Sequence, residues 1–197
     1  MLYTEMIVAN AIIRGDKNFL LKFNLLEKPL ALQIGGSHPK ELAEAVKIVE
    51  NYGYDEINLN LGCPSKKVQK NKFGACLMKE PNLVGECVNE MVNASNIPIS
   101  IKTRIGFDEL EDYEYLKKFL TIIKKAGAKT FVIHARKAIL KGLTPKQNLN
   151  IPPLNYNFVY KIKEDFKNDT IIINGGIDSI DKIRTHFDKV DGVMIGR

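Results

Sequence analysis

Tryptophan is absent from this chain, cysteine and histidine occur three times each, and no apolar run approaches the length of a membrane-crossing helix. The opening residues Met1-Leu2-Tyr3-Thr4-Glu5 place an acid early and lack a basic region leading into an apolar one, so they do not read as a secretory leader. A cytoplasmic protein is expected, with an organelle left open. The three cysteines, Cys63, Cys76 and Cys87, are odd in number and lack metal-ligand spacing, which argues against a disulfide framework or structural zinc. Arginine is also scarce, at positions 14, 104, 136, 184 and 197, so lysine supplies nearly all of the +6 net charge. A basic balance suits a polyanion such as nucleic acid, although lysine-rich surfaces also arise from compositional bias. What remains is ordinary: 197 residues, 45% hydrophobic and 26% charged, enough for one substantial core and unlike a disordered or fibrous chain.

Patterning along the chain alternates strands with helices. The apolar run Leu2 to Val8 reads as a buried strand, and Ala9 to Leu26 has no clear period. Strands are expected at Leu30 to Ile34, around Ile57-Asn58-Leu59-Asn60-Leu61, at Pro98 to Lys102, Thr130 to Ile133, Thr170 to Ile173 and Gly192 to Ile195. Helices are expected from Pro39 to Gly53, Pro81 to Ala94, Asp108 to Lys125, Asn157 to Phe166 and Ile180 to Phe187. Such alternation argues for a parallel sheet covered by helices.

Gln33, Asn60 with Cys63, Lys102, His134, Asn174 and Arg197 each lie at or just past the carboxyl end of a different strand. An open sheet would string them along an edge, whereas a barrel collects them at one mouth. The predicted fold is therefore an α/β TIM (β/α)8-type barrel over residues 1–197, incomplete, with about seven strands. The barrel's first strand is expected to be missing, and Gly196-Arg197 falls where its last helix would begin.

Chemistry at those strand ends has both plain and functional readings. Gly62-Cys63-Pro64 stops a strand and leaves a thiol beside Lys66, Lys67, Lys70 and Lys72. A thiol with the ordinary pKa of about 8.5 is mostly protonated at neutral pH and can donate a proton, whereas an inert cysteine simply fills space. Gly175-Gly176 and Gly196-Arg197 end the last two strands, where barrels commonly hold a phosphate, though one such pair alone reads as a tight turn. Lys102 can set a cation against an electron-accepting ring, Gln33 can bond its polar edge, and His134 is structural or catalytic.

Leu59-Asn60-Leu61-Gly62-Cys63-Pro64-Ser65, Phe73-Gly74-Ala75-Cys76-Leu77-Met78, Lys102-Thr103-Arg104-Ile105-Gly106, Ile133-His134-Ala135-Arg136-Lys137-Ala138 and Asn174-Gly175-Gly176 together resemble the tRNA-dihydrouridine synthases. The stretches Gly142 to Asn148 and Ile151 to Leu154 are similar to the bacterial DusA-type branch. The resemblance implies an FMN-dependent enzyme that uses NADPH and reduces the C5–C6 bond of a uridine in the tRNA D-loop. It further implies that Gln33, Lys102 and His134 contact FMN, with Asn174, Gly175, Gly176, Gly196 and Arg197 around its phosphate. Cys63 would be the general acid, Asn60 would contact the target nucleotide, and Thr144 and Gln147 would fall in a loop touching tRNA. On this resemblance, the family's first strand, with its Pro-Met motif, and its carboxyl-terminal helical domain are expected to be missing from these 197 residues. Two alternatives follow: an inactive tRNA-binding remnant, or another FMN barrel reductase acting on a free small molecule.

Overall fold

The computed structural model describes residues 1–196. Strands β1 (Leu2–Tyr3) and β2 (Ile7–Val8) lead into two short helices, α1 (Ala9–Arg14) and α2 (Lys17–Leu21). The chain then alternates: β3 (Leu30–Gly35), α3 (Pro39–Val49), β4 (Glu56–Asn60), the short α4 (Lys66–Lys70), α5 (Pro81–Ala94), β5 (Ile99–Arg104) and α6 (Tyr113–Lys125). It continues with β6 (Thr130–His134), α7 (Tyr156–Asp165), β7 (Thr170–Asn174), α8 (Ile180–Arg184) and β8 (Gly192–Met194). Every ladder is parallel, in the order β1-β3-β4-β5-β6-β7-β8, with β2 also on the outer edge of β3. Because β1 and β2 share that edge, the sheet has seven strand positions, curled as an incomplete barrel.

Period-2 alternation gives the sheet two unlike faces. Leu32, Ile34, Ile57, Leu59, Ile101, Phe131, Ile133, Ile171 and Ile173 are fully buried in the core that the helices cover. The residues between them, including Gln33, Asn58, Asn60, Ser100, Lys102, His134 and Asn174, occupy the inner face. Helix α3 begins with Pro39 and buries Leu42, Ala45, Val46 and Val49. Helix α5 approaches α6 closely at Gly85, where an added Cβ would lie 2.9 Å from Ile122 Cγ2. No described helix is long and apolar enough to cross a membrane.

Three expectations about elements are corrected. The run Leu2 to Val8 is two strands rather than one, because Thr4 Oγ1 accepts from Gln33 N at 3.1 Å and interrupts the ladder; Leu2 is 57% exposed rather than buried. The helix expected from Asp108 starts at Tyr113, since Phe107 and Leu110 close a tight turn, Asp108 takes φ 47°, and Asp112 caps the helix by accepting from Tyr115 N at 2.7 Å. The last helix stops at Arg184, short of Phe187. Elsewhere the bounds move by a residue or two at most, apart from the last turn before Gly53, which is a 3-10 turn, Glu50–Tyr52, rather than α-helix.

Candidate active site

Strand register brings the polar strand ends into two adjacent rows. Asn60 pairs with Lys102 across β4 and β5, while Arg104, His134 and Asn174 stand side by side on β5, β6 and β7. Lys102 Nζ donates to Asn174 Oδ1 at 3.2 Å, and Asn174 Nδ2 donates to the Met194 carbonyl at 2.8 Å. Gly196 lies against the same amide, its added Cβ falling 3.5 Å from Asn174 Nδ2. Arg197 is outside the described residues.

Gly62 and Cys63 donate their backbone N–H groups to Asn60 Oδ1 at 3.1 and 3.0 Å, and Asn60 Nδ2 donates to Gln33 Oε1 at 2.7 Å. The Cys63 thiol is half-buried and free. Arg104 Nε donates to the Gly62 carbonyl next to Cys63, and Lys102 stands across β4 and β5 from Asn60, so the thiol turn, the amine and the guanidinium lie together at the strand ends. Burial first, and then the Arg104 guanidinium beside it, push the Lys102 ammonium down to about 8. His134 is held neutral, well below the usual imidazole range, by burial and then by Arg104, Lys102 and Arg136.

His134 Nε2 is buried without a hydrogen-bond partner among the described residues. It faces the glycine pair: an added Cβ on Gly175 would lie 2.9 Å from Nε2 and 2.6 Å from Cδ2. Gly175 and Gly176 take φ 114° and 68°, and Tyr156 donates its hydroxyl to the Gly175 carbonyl at 2.7 Å. A ring nitrogen lacking a partner, a recessed cation and a backbone turn free of side chains suit an anionic ligand carrying a polar ring.

Arg104 was not singled out by sequence reasoning, yet it is 3% exposed and ties the mouth loops together. Its Nε donates to the Gly62 carbonyl at 2.9 Å, and its Nη1 donates to the carbonyls of Lys137 and Asn148 at 3.1 Å each. Gln69 adds a second brace, donating from Nε2 to the carbonyls of Pro64 at 2.8 Å and Leu140 at 2.9 Å. The available signal for Arg104 was parity, since it follows Lys102 by two residues on the same strand. Thr144 and Gln147 are exposed on the second loop and bond one another: Thr144 N donates to Gln147 Oε1 at 2.8 Å, and Gln147 N to Thr144 Oγ1 at 3.2 Å. They shape that loop and do not join the recess residues through any described hydrogen bond.

The two braced loops are uniformly basic. Residues 61–79 carry Lys66, Lys67, Lys70, Lys72 and Lys79, residues 135–155 carry Arg136, Lys137, Lys141 and Lys146, and neither segment contains an acid. Lys79 pairs with Asp108 at 3.3 Å and Lys137 with Glu111 at 3.7 Å; among the described residues the others have no carboxylate partner. The rest of the chain is net acidic. No cluster of three or more His, Cys, Asp or Glu is placed to hold a metal among the described residues.

Comparison with known proteins adds sequence relatives to this geometry. A family model described as "Dihydrouridine synthase (Dus)" matches residues 1–197. Proteins named tRNA-dihydrouridine(20/20a) synthase from Vibrio cholerae and Synechocystis sp. are each 53% identical, over 198 and 197 residues, covering 100% of this chain and 60% and 59% of their own lengths. The chain thus spans about three fifths of the curated relatives it matches. Among solved structures, 2,3-dimethylmalate lyase, a PEP mutase/isocitrate lyase superfamily member, aligns with a TM-score of 0.53 at 15% identity, over 84% of this chain and 52% of that one. That likeness concerns the fold alone.

Proposed function

Because this chain belongs to the dihydrouridine synthase family, we propose that it forms the flavin-binding, catalytic part of a tRNA-dihydrouridine synthase. The reaction is reduction of the C5–C6 double bond of a uridine in the tRNA D-loop, with FMN as cofactor and NADPH as reductant. The observation that carries this reading is that the Cys63 turn, Lys102 and His134 meet on neighbouring strand ends, beside two loops that hold nine basic residues and no acid.

FMN fits the residues present. At the Gly175-Gly176 turn, which has positive φ at both residues and no side chain, backbone N–H groups can approach a phosphate, and Asn174 and Gly196 lie beside it. Arg197 is assigned to the same phosphate on resemblance alone. Lys102 sets its charge against the ring, Gln33 lends an amide to the ring's polar edge, and His134 offers its unpartnered nitrogen. Bound and reduced, the flavin supplies hydride to C6 of the base.

The chain's own residues perform the rest. Cys63 donates its proton to C5, and the turn held by Asn60 aims the thiol. Asn60 also contacts the base, which must leave the RNA stack to reach the recess. The unpaired lysines of the two loops engage the phosphate backbone, with Thr144 and Gln147 on the second loop, giving salt-sensitive and largely shape-based binding. A free small-molecule substrate leaves those loop charges without a role.

The test is to incubate the intact protein with FMN, NADPH and tRNA lacking dihydrouridine. Stoichiometric flavin retention and a two-hydrogen mass gain on a D-loop uridine are expected. Flavin retention with reduction of a free pyrimidine but not of tRNA would contradict the reading.

A further inference from the structure

Below the mouth, the inner faces of β3, β4 and β5 carry a hydrogen-bond chain that runs in one direction. The backbone amides of Gly62 and Cys63 start it, both donating to Asn60 Oδ1. Asn60 Nδ2 donates to Gln33 Oε1 at 2.7 Å, Gln33 Nε2 to Asn58 Oδ1 at 2.9 Å, and Asn58 Nδ2 to Ser100 Oγ at 2.8 Å. The Ser100 hydroxyl donates to Glu56 Oε1 at 2.5 Å, and the Tyr3 hydroxyl donates to the same oxygen at 3.1 Å.

Both ends of this chain are chemically one-sided. A backbone N–H only donates and a carboxylate only accepts, so turning over any amide between them sets donor against donor. Asn58 is 0%, Ser100 1% and Glu56 7% exposed, which keeps water from repairing such a mismatch. A buried carboxylate ordinarily answers a cation. Glu56 has no ion pair among the described residues; its described hydrogen-bond partners are the two hydroxyls.

We propose that Glu56 is a positioning residue for the Cys63 turn, acting through Ser100, Asn58, Gln33 and Asn60. By accepting the last proton of the chain it holds all three amides in one orientation, which keeps Asn60 Oδ1 turned to the Gly62 and Cys63 amides. The role in catalysis rests on the reading of Cys63 as the acid; the positioning itself does not.

The three cysteines provide the test, because Cys63 is half-buried on the turn while Cys87 is buried on α5. Iodoacetamide alkylation of each thiol is followed by mass spectrometry in the intact protein and in Glu56→Ala, Ser100→Ala and Glu56→Gln variants. Glu56→Ala and Ser100→Ala are expected to change the Cys63 rate about fivefold, the factor one net hydrogen bond represents, with Cys87 unchanged. Glu56→Gln keeps an accepting oxygen for Ser100 and is expected to restore the wild-type rate. Ser100→Ala removes a single oxygen and keeps the test decisive if Glu56→Ala does not fold. An unchanged Cys63 rate overturns the proposal, and so does an equal acceleration at Cys87, which signals general loosening. In Glu56→Ala and Ser100→Ala, kcat for dihydrouridine formation should fall while KM for tRNA holds, and Glu56→Gln should keep the wild-type kcat. A wild-type protein that forms no dihydrouridine refutes the catalytic reading, and the alkylation pattern still decides the positioning.

Discussion

Lys102 shares its recess with Arg104 and a neutral His134, and burial leaves its ammonium with a pKa of about 8 against an ordinary 10.5. Between those two values the unfolded chain binds the Lys102 proton and the folded chain does not, so this group makes stability rise with pH across that window. An anionic ligand reverses the preference, because it needs the charged amine. FMN affinity is therefore expected to be full below pH 8 and to fall about tenfold above it, the value of one charge-assisted hydrogen bond. Flavin fluorescence titrations at pH 7 and 9.5 check this, with Lys102→Met binding weakly at both; a flat wild-type profile contradicts it. Arg104 poses a different question, since its fork reaches three carbonyls that no single ammonium can span. Arg104→Lys is expected to cost about 2 kcal/mol in urea unfolding and to lower dihydrouridine formation by loosening the Cys63 turn. What was legible in the sequence is that Cys63, Lys102 and His134 lie at or near the carboxyl ends of β4, β5 and β6. Glu56 and Arg104 were passed over: parity sets Arg104 on the face of Lys102, but only the folded sheet shows which polar residues of β4 and β5 bond one another on the inner face.

At the level of elements, the βα loops do what the strands only prepare. The Gly175-Gly176 turn following β7 has positive φ at both residues and packs its first glycine against His134. Gly175→Ala combines backbone strain with a 2.6 Å approach to the His134 ring, so a drop of about 1–3 kcal/mol in stability is expected together with weaker FMN binding. Urea unfolding and flavin titration read the two effects separately, and normal flavin affinity would remove the turn from the phosphate site. The loop bearing α4 is capped by Ser65, whose side chain accepts from Val68 N at 3.2 Å, and it presents Lys66, Lys67 and Lys70 without acid neighbours. Replacing Lys66 and Lys67 by Gln should weaken tRNA binding and flatten the slope of log affinity against log salt by about 0.7 for each phosphate no longer neutralised. An unchanged slope would place the RNA elsewhere. Helices α3 and α5 were readable from their apolar faces, whereas the start of α6 was not, because the reversal at Phe107 to Leu110 rests on hydrogen bonds and on Asp108 in a left-handed conformation.

Across the whole molecule, a parallel sheet directs every strand's carboxyl end to one side, and the basic loops gather there while the remaining chain is net acidic. The lysines beside Cys63 were visible in the sequence, and so was the barrel class, whereas the acidic balance of the remaining chain emerges only once the loops are placed. The interruption between β1 and β2 was not visible in the sequence, since it depends on a threonine side chain taking a ladder position. The proposed activity depends above all on a proton donor, a cation and a phosphate turn meeting at one set of strand ends. The Cys63→Ala variant of the intact protein tests this most directly, through the rate of dihydrouridine formation in tRNA measured beside flavin content. At least about a hundredfold loss of rate with flavin content unchanged is expected of a missing general acid. Modification of tRNA at the wild-type rate by this variant would contradict it.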